Sequence, residues 1–140
     1  RRPADLVTAK TFADPPLNTI VLRKSGSSLL LDGGVNLPVP ADLAGIADGE
    51  YTIGFQPHHL SLSGSGPHSV PIRAKVTASE ITGSESFIHL DFADVRWVML
   101  AHGIHSFEQD QEIEVFLDTR HIMLFDASGR AVGSREKLAA

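Results

Sequence analysis

The chain has no cysteine, one tryptophan, one tyrosine and no apolar run longer than about strand length. Each absence removes a class of function. Without cysteine there is no disulfide framework and no thiolate metal site or nucleophile. Aromatics make up 6% of the residues, and Trp97 and Tyr51 fall in different apolar segments without interleaved Lys or Arg. A single-strand nucleic-acid binder needs stacking platforms beside a basic groove. Here twelve Lys and Arg are scattered among seventeen acids, for a formal net charge of -5, so no nucleic-acid partner is expected. "SLLLD" and "WVMLA" are the longest apolar stretches, far short of the ~20 residues of a membrane-spanning helix. Neither a signal-peptide pattern nor an initiating Met opens the sequence, which begins "RRPADL". It reads as a piece of a longer protein, with the missing part N-terminal.

What is present is apolar material in short, alternating blocks. At 42% hydrophobic and 21% charged over 140 residues, the chain has enough for a packed core of one domain, or one domain and a remnant. Helical spacing is found in 3–13, "PADLVTAKTFA", where Leu6, Ala9 and Phe12 share a face. Pro3 and Asp5 suit a helix start, and "DPP" at 14–16 stops it.

From Asn18 onward the pattern is β. "NTIVLRK" (18–24) reads as a strand, and "SLLLDGGVNLPV" (28–39) as a hairpin about Asp32-Gly33-Gly34. "EYTIGFQ" (50–56) is a strand stopped by Pro57. "HSVPIRAKVTASEI" (68–81) sets Val70, Ile72, Ala74 and Val76 against Arg73, Lys75 and Thr77. "SFIHLDF", "RWVMLA", "EIEVFLD" and "HIMLF" complete eight or nine short strands. Without strand–helix alternation, this predicts an all-β fold, an OB-like barrel, preceded by one short helix. The expected organisation is helix and linker 1–17, β-domain 18–133 and tail 134–140. "SLSGSGPHS" (61–69) and "TGSES" (82–86) read as exposed loops. Phe55, Phe87, Phe92, Trp97, Phe116 and Phe125 are expected in the core.

Catalytic motifs are missing. No G-x-x-x-x-G-K-[ST] occurs, so the chain has no P-loop to cradle phosphates. No serine sits in a G-x-S-x-G elbow. Of the seven histidines, His58 and His59 are adjacent, but in an extended strand they would point to opposite sides. His102 and His105 could converge in a turn. No zinc-type ligand spacing is present, and neither a catalytic residue nor a resident metal or cofactor is expected.

Four ordered segments carry a resemblance. They are "RPADLVTAKTFADPPLN", with Pro3, Asp5, Leu6, Ala9, Phe12, Pro16 and Asn18; "IGFQPHHLSL"; "VTASEITGSESFIHLDF", with Glu80, Gly83 and Glu85; and "HIMLFDASGRAV". Together they resemble the C-terminal transport-associated OB (TOBE) region of maltose/glycerol-phosphate-type ABC importer ATP-binding subunits. The resemblance implies a cytoplasmic, membrane-peripheral, non-catalytic regulatory and dimerisation region. ATP and Mg would belong to an ATPase part outside this chain. The implied partners are that N-terminal ATPase domain, a second ATPase subunit, the permease subunits and a regulatory protein. Gln56 stands where relatives carry Arg, and His58 where they carry Glu. "FEQDQEIEV" lacks the Gly found near the position of Asp110. Gln56, His58, Glu80, Gly83, Ser84 and Glu85 are the candidate regulatory or interface residues. The alternative reading is a small-ligand module binding an oxyanion or metabolite, with "TGSES" as an anion nest.

Overall fold

The computed structural model describes residues 17–64 and 66–133. The expected helix in 3–13 and the tail 134–140 lie outside the described residues. Those described form eleven β-strands: β1 Asn18–Ser25, β2 Ser28–Leu31, β3 Asn36–Pro38, β4 Gly49–Phe55, β5 Leu60–Ser61, β6 Ser69–Thr82, β7 Glu85–Phe92, β8 Val95–His102, β9 Glu112–Asp118, β10 Met123–Phe125 and β11 Ala131–Val132. Helical geometry among the described residues is limited to single 3-10 turns at Ala41–Leu43, Pro57–His59 and Thr119–His121. The fold is all-β, as the alternation predicts. β5 and β11, two residues each, are too short to show a period.

The region read as one β-domain divides into two compact units, one of residues 17–55 with 119–133, the other of 56–118. In the first, six strands run β11-β10-β4-β1-β2-β3. All neighbours are antiparallel, and the predicted β2–β3 hairpin forms. Ile20, Leu22, Leu29, Leu31, Ile53 and Phe125 are buried. Lys24 is also buried, its side chain 4% exposed, and its ammonium lies 3.1 Å from Asp48 Oδ1. The same carboxylate accepts a hydrogen bond from the Gly26 N–H at 3.0 Å, tying the β1–β2 turn to the segment before β4.

The second unit holds five antiparallel strands in the order β5-β9-β6-β7-β8. β5 and the Pro57–His59 turn lie against β8, so the sheet curls until its two edges approach. This is the OB-like barrel anticipated from the strand pattern. Inside are Ile72, Ala74, Val76, Ile88, Leu90, Trp97, Met99, Val115 and Leu117. Trp97 stacks on Phe92, with ring centroids 5.0 Å apart. Phe87 and Phe116, expected in the core, occupy outward positions of β7 and β9 and are half-buried. Strict alternation puts them there: their neighbours Ile88, Val115 and Leu117 take the inner face.

Among the described residues two non-glycine residues have positive φ, Ala93 at 52° in the β7–β8 turn and Asp110 at 67° before β9. Asp110 donates its N–H to the Val76 carbonyl at 2.8 Å, and Val76 returns a bond to Gln111 O at 2.8 Å. The glycine missing from "FEQDQ" is thus replaced by an aspartate in the left-handed conformation, which Asp tolerates better than most residues. Ala93 has no polar side chain to compensate. Ala93→Gly is expected to raise unfolding free energy by roughly 1 kcal/mol in chemical denaturation, through relief of that conformation.

Acid should weaken the first unit at two points. Asp126 accepts hydrogen bonds from the Ser128 hydroxyl at 2.6 Å, the Ser128 N–H at 2.9 Å and the Arg130 N–H at 3.0 Å. The Ser128 hydroxyl first, then the Arg130 amide, hold its pKa below the ordinary 3.8. For Asp48 the Gly26 amide and then Lys24 do the same. A folded-state pKa below the unfolded one contributes stability above 3.8, lost as pH falls through the lower folded value. Wild type is therefore expected to be more stable than Asp48→Asn and Asp126→Asn at neutral pH. The differences should shrink in melts below pH 3.8.

Candidate functional site

The sequence-derived candidates sit in two places. Gln56 and His58 belong to the corner that enters the second unit. β4 ends at Phe55, and Pro57 starts a single 3-10 turn because its ring already holds the φ that turn requires. The turn is closed by His59 N–H to Gln56 O at 3.0 Å. Pro57 and Leu60 are buried, Gln56 and His59 half-buried, and His58 exposed. His58 and His59 do not point to opposite sides as in a strand. The turn brings their rings to 4.1 Å between centroids, tilted by 52°. Among the described residues no three His, Asp or Glu side chains converge as metal ligands would.

Glu80, Gly83, Ser84 and Glu85 share the β6–β7 hairpin end. "TGSES" is not a loop. Thr82 pairs with Glu85 in register, leaving a two-residue turn of Gly83 and Ser84. Gly83 has φ +61°, which suits the first position of a II′ turn. Of "SLSGSGPHS", Ser61 belongs to β5 and Ser69 to β6, while the described residues between them lie outside strands and are mostly exposed, as expected of a loop.

One hydroxyl of the expected anion nest, that of Ser86, is spent inside the fold. Ser86 is fully buried. Its hydroxyl donates to Gly103 O at 2.8 Å and accepts the His105 N–H at 2.9 Å. Gly103 N–H donates to Ser84 O at 2.6 Å. Two His–Glu pairs stand at the same end. His89 Nε2 lies 3.2 Å from Glu80 Oε1, and His102 Nδ1 lies 3.5 Å from Glu85 Oε2. His105 turns its ring to the His102 carbonyl, 2.8 Å away, rather than to the His102 ring. Carboxylates at the rim repel an anion.

Sequence reasoning missed a shallow groove of about 410 Å³ in the first unit, lined by Val21, Leu30, Arg23, Asp32, Gly33, Gly34 and Glu50. Val21 and Leu30 are exposed there, at 40% and 45%. The outward positions of β1 and β2 in the alternation pointed to both residues. Their adjacency depends on the β1–β2 register.

No protein-family model matches the chain. Curated proteins do. The chain is 34% identical over 104 residues, 72% of its length, to the sn-glycerol-3-phosphate import ATP-binding protein UgpC of Salmonella typhimurium. It is 32% identical over 129 residues, 90% of its length, to the UgpC of Chromobacterium violaceum. With the Escherichia coli K12 protein of the same name the identity is 30% over 104 residues. The chain spans about a third of the length of these relatives, 29% and 34% for the first two. No helix among the described residues is long and apolar enough to cross a membrane. The all-β, OB-like fold and these matches together place the chain in the family of sugar-type ABC importer ATP-binding subunits, as its C-terminal transport-associated OB region.

Proposed function

We propose that this region is the regulatory and dimerisation part of an ATP-binding subunit that drives import of glycerol phosphate, a sugar or a related solute. The observation that carries the reading is the match over 90% of the chain to a protein named as an import ATP-binding protein. The chain itself has no phosphate-cradling motif. Nucleotide and Mg chemistry is therefore assigned to an ATPase region outside it, and the present residues contribute no catalytic step. On this reading the region lies on the cytoplasmic side, peripheral to the membrane. It works with its own ATPase domain, a second ATP-binding subunit, the permease subunits and a regulatory protein. Staying associated through one region keeps two ATPase halves at high effective concentration while they open and close. A regulator can bias that cycle only by binding one state more tightly than the other.

Sedimentation of the chain over a rising concentration series tests the reading. Reversible self-association is the expected result. A strict monomer at every concentration would overturn the dimerisation role. Calorimetry with molybdate, sulfate and a phosphosugar provides the opposing test, because tight stoichiometric binding of any of them would favour the small-ligand alternative.

A further inference from the structure

We propose that two copies of this chain meet through the outer face of the β9-β6-β7-β8 sheet, in one orientation selected by the order of its charges. The inference rests on the dimerisation reading and names the surface that performs it. Across these four strands the registers are Lys75 opposite Glu112 on β9, Lys75 opposite Asp91 on β7, and Asp91 opposite Arg96 on β8. One row therefore reads Glu112, Lys75, Asp91, Arg96, with signs alternating minus, plus, minus, plus. The inner face is taken by Ala74, Val76, Leu90 and Trp97, so alternation turns these four residues outward. Glu112 is 64% exposed, Arg96 59% and Asp91 39%.

The two pairs formed within the chain leave Lys75 unmatched. Arg96 binds Asp91 at 2.7 Å, and Arg73 reaches diagonally to Glu112 at 3.3 Å. Among the described residues, the Lys75 ammonium has no ion-pair partner, although it lies between two carboxylates. A minus-plus-minus-plus row is its own complement under a two-fold axis parallel to the strands, running between β6 and β7. Under that rotation Glu112 meets Arg96 of the second copy, and Lys75 meets Asp91 of the second copy. A two-fold axis along the row would instead set each charge against its like. Two-fold homodimers require a self-complementary patch. Here the sign order both supplies one and rejects the other orientation. Phe87 and Leu100, paired across β7 and β8 and half-buried on the same face, extend it with apolar surface.

Glu112 and Arg96 sit on strands three places apart, roughly 14 Å at the usual inter-strand spacing. They cannot pair within one copy, which makes a charge swap diagnostic. The chain, Arg96→Glu, Glu112→Arg and the double variant are compared by sedimentation at low and high salt, with melts to confirm that each folds. Arg96→Gln serves as a second probe, because glutamate at 96 also faces Asp91 within the chain. Wild-type association is expected to weaken with salt. Each single reversal should raise the dimer dissociation constant on the order of tenfold or more, Arg96→Gln should raise it less, and the double variant should recover most of the loss. A dimer indifferent to the single reversals, or a double variant no better than the singles, would overturn this surface while leaving the dimerisation reading standing. A wild-type chain that never self-associates would overturn both.

Discussion

Trp97→Ala is expected to lower the unfolding free energy by about 3–5 kcal/mol, the range for removing a large aromatic from a packed core. Trp97 is fully buried in the second unit, opposite Leu90 in the ladder and stacked on Phe92 at 5.0 Å. Leu90 and Phe92 belong to β7, which is hydrogen-bonded on both sides, so they can collapse into the vacancy only slightly. Total stabilities of ordinary domains are about 5–15 kcal/mol, so the loss should bring the unit near its unfolding limit. Because Trp97 is the only tryptophan, the substitution removes the fluorescence probe. Denaturation is better followed by circular dichroism, with Trp97→Phe as the milder control. A loss below about 1 kcal/mol would mean that the barrel interior is not packed around this ring.

Gly54→Val is expected to cost about 1–3 kcal/mol, at the upper end because the added atoms meet two side chains at once. Gly54 lies in β4, paired with Thr19 on β1 and Met123 on β10. A Cβ there would stand 2.6 Å from Leu17 Cδ2 and 3.1 Å from Phe125 Cε2. Leu17, Met123 and Phe125 form one buried cluster, so the strand must come close without a side chain of its own. Leu17→Ala should relieve part of the cost. In a double-mutant cycle the two changes should therefore be less damaging together than their sum. Strict additivity of the two losses would show that the contact does not explain the glycine.

The candidate residues were partly legible in advance. Pro57 as the end of a strand follows from local chemistry, and the structure has it. The closeness of the His58 and His59 rings was not legible, because it depends on a 3-10 turn in place of an extended strand. "TGSES" looked open because Gly and Ser are common in loops. In the fold its backbone is committed to the β6–β7 ladder and its last hydroxyl to the 103–105 segment. The charge row on the second sheet could not be read at all from one strand. Lys75, Asp91, Arg96 and Glu112 are scattered over 38 positions and align only through three registers.

By itself the sequence determined the all-β class, most strand positions, the inward and outward faces of β6, the lack of a P-loop, and the family. These are local properties: period-two alternation, turn residues, and ordered motifs along the chain. Only the tertiary structure decided that β10 returns to pair with β4, which separates residues 17–55 and 119–133 from 56–118 as two compact units. It also decided that Phe87 and Phe116 face outward and that the second sheet curls toward closure. Pairing between distant strands depends on loop closure and the burial of both partners. Neither is encoded in any single window of residues.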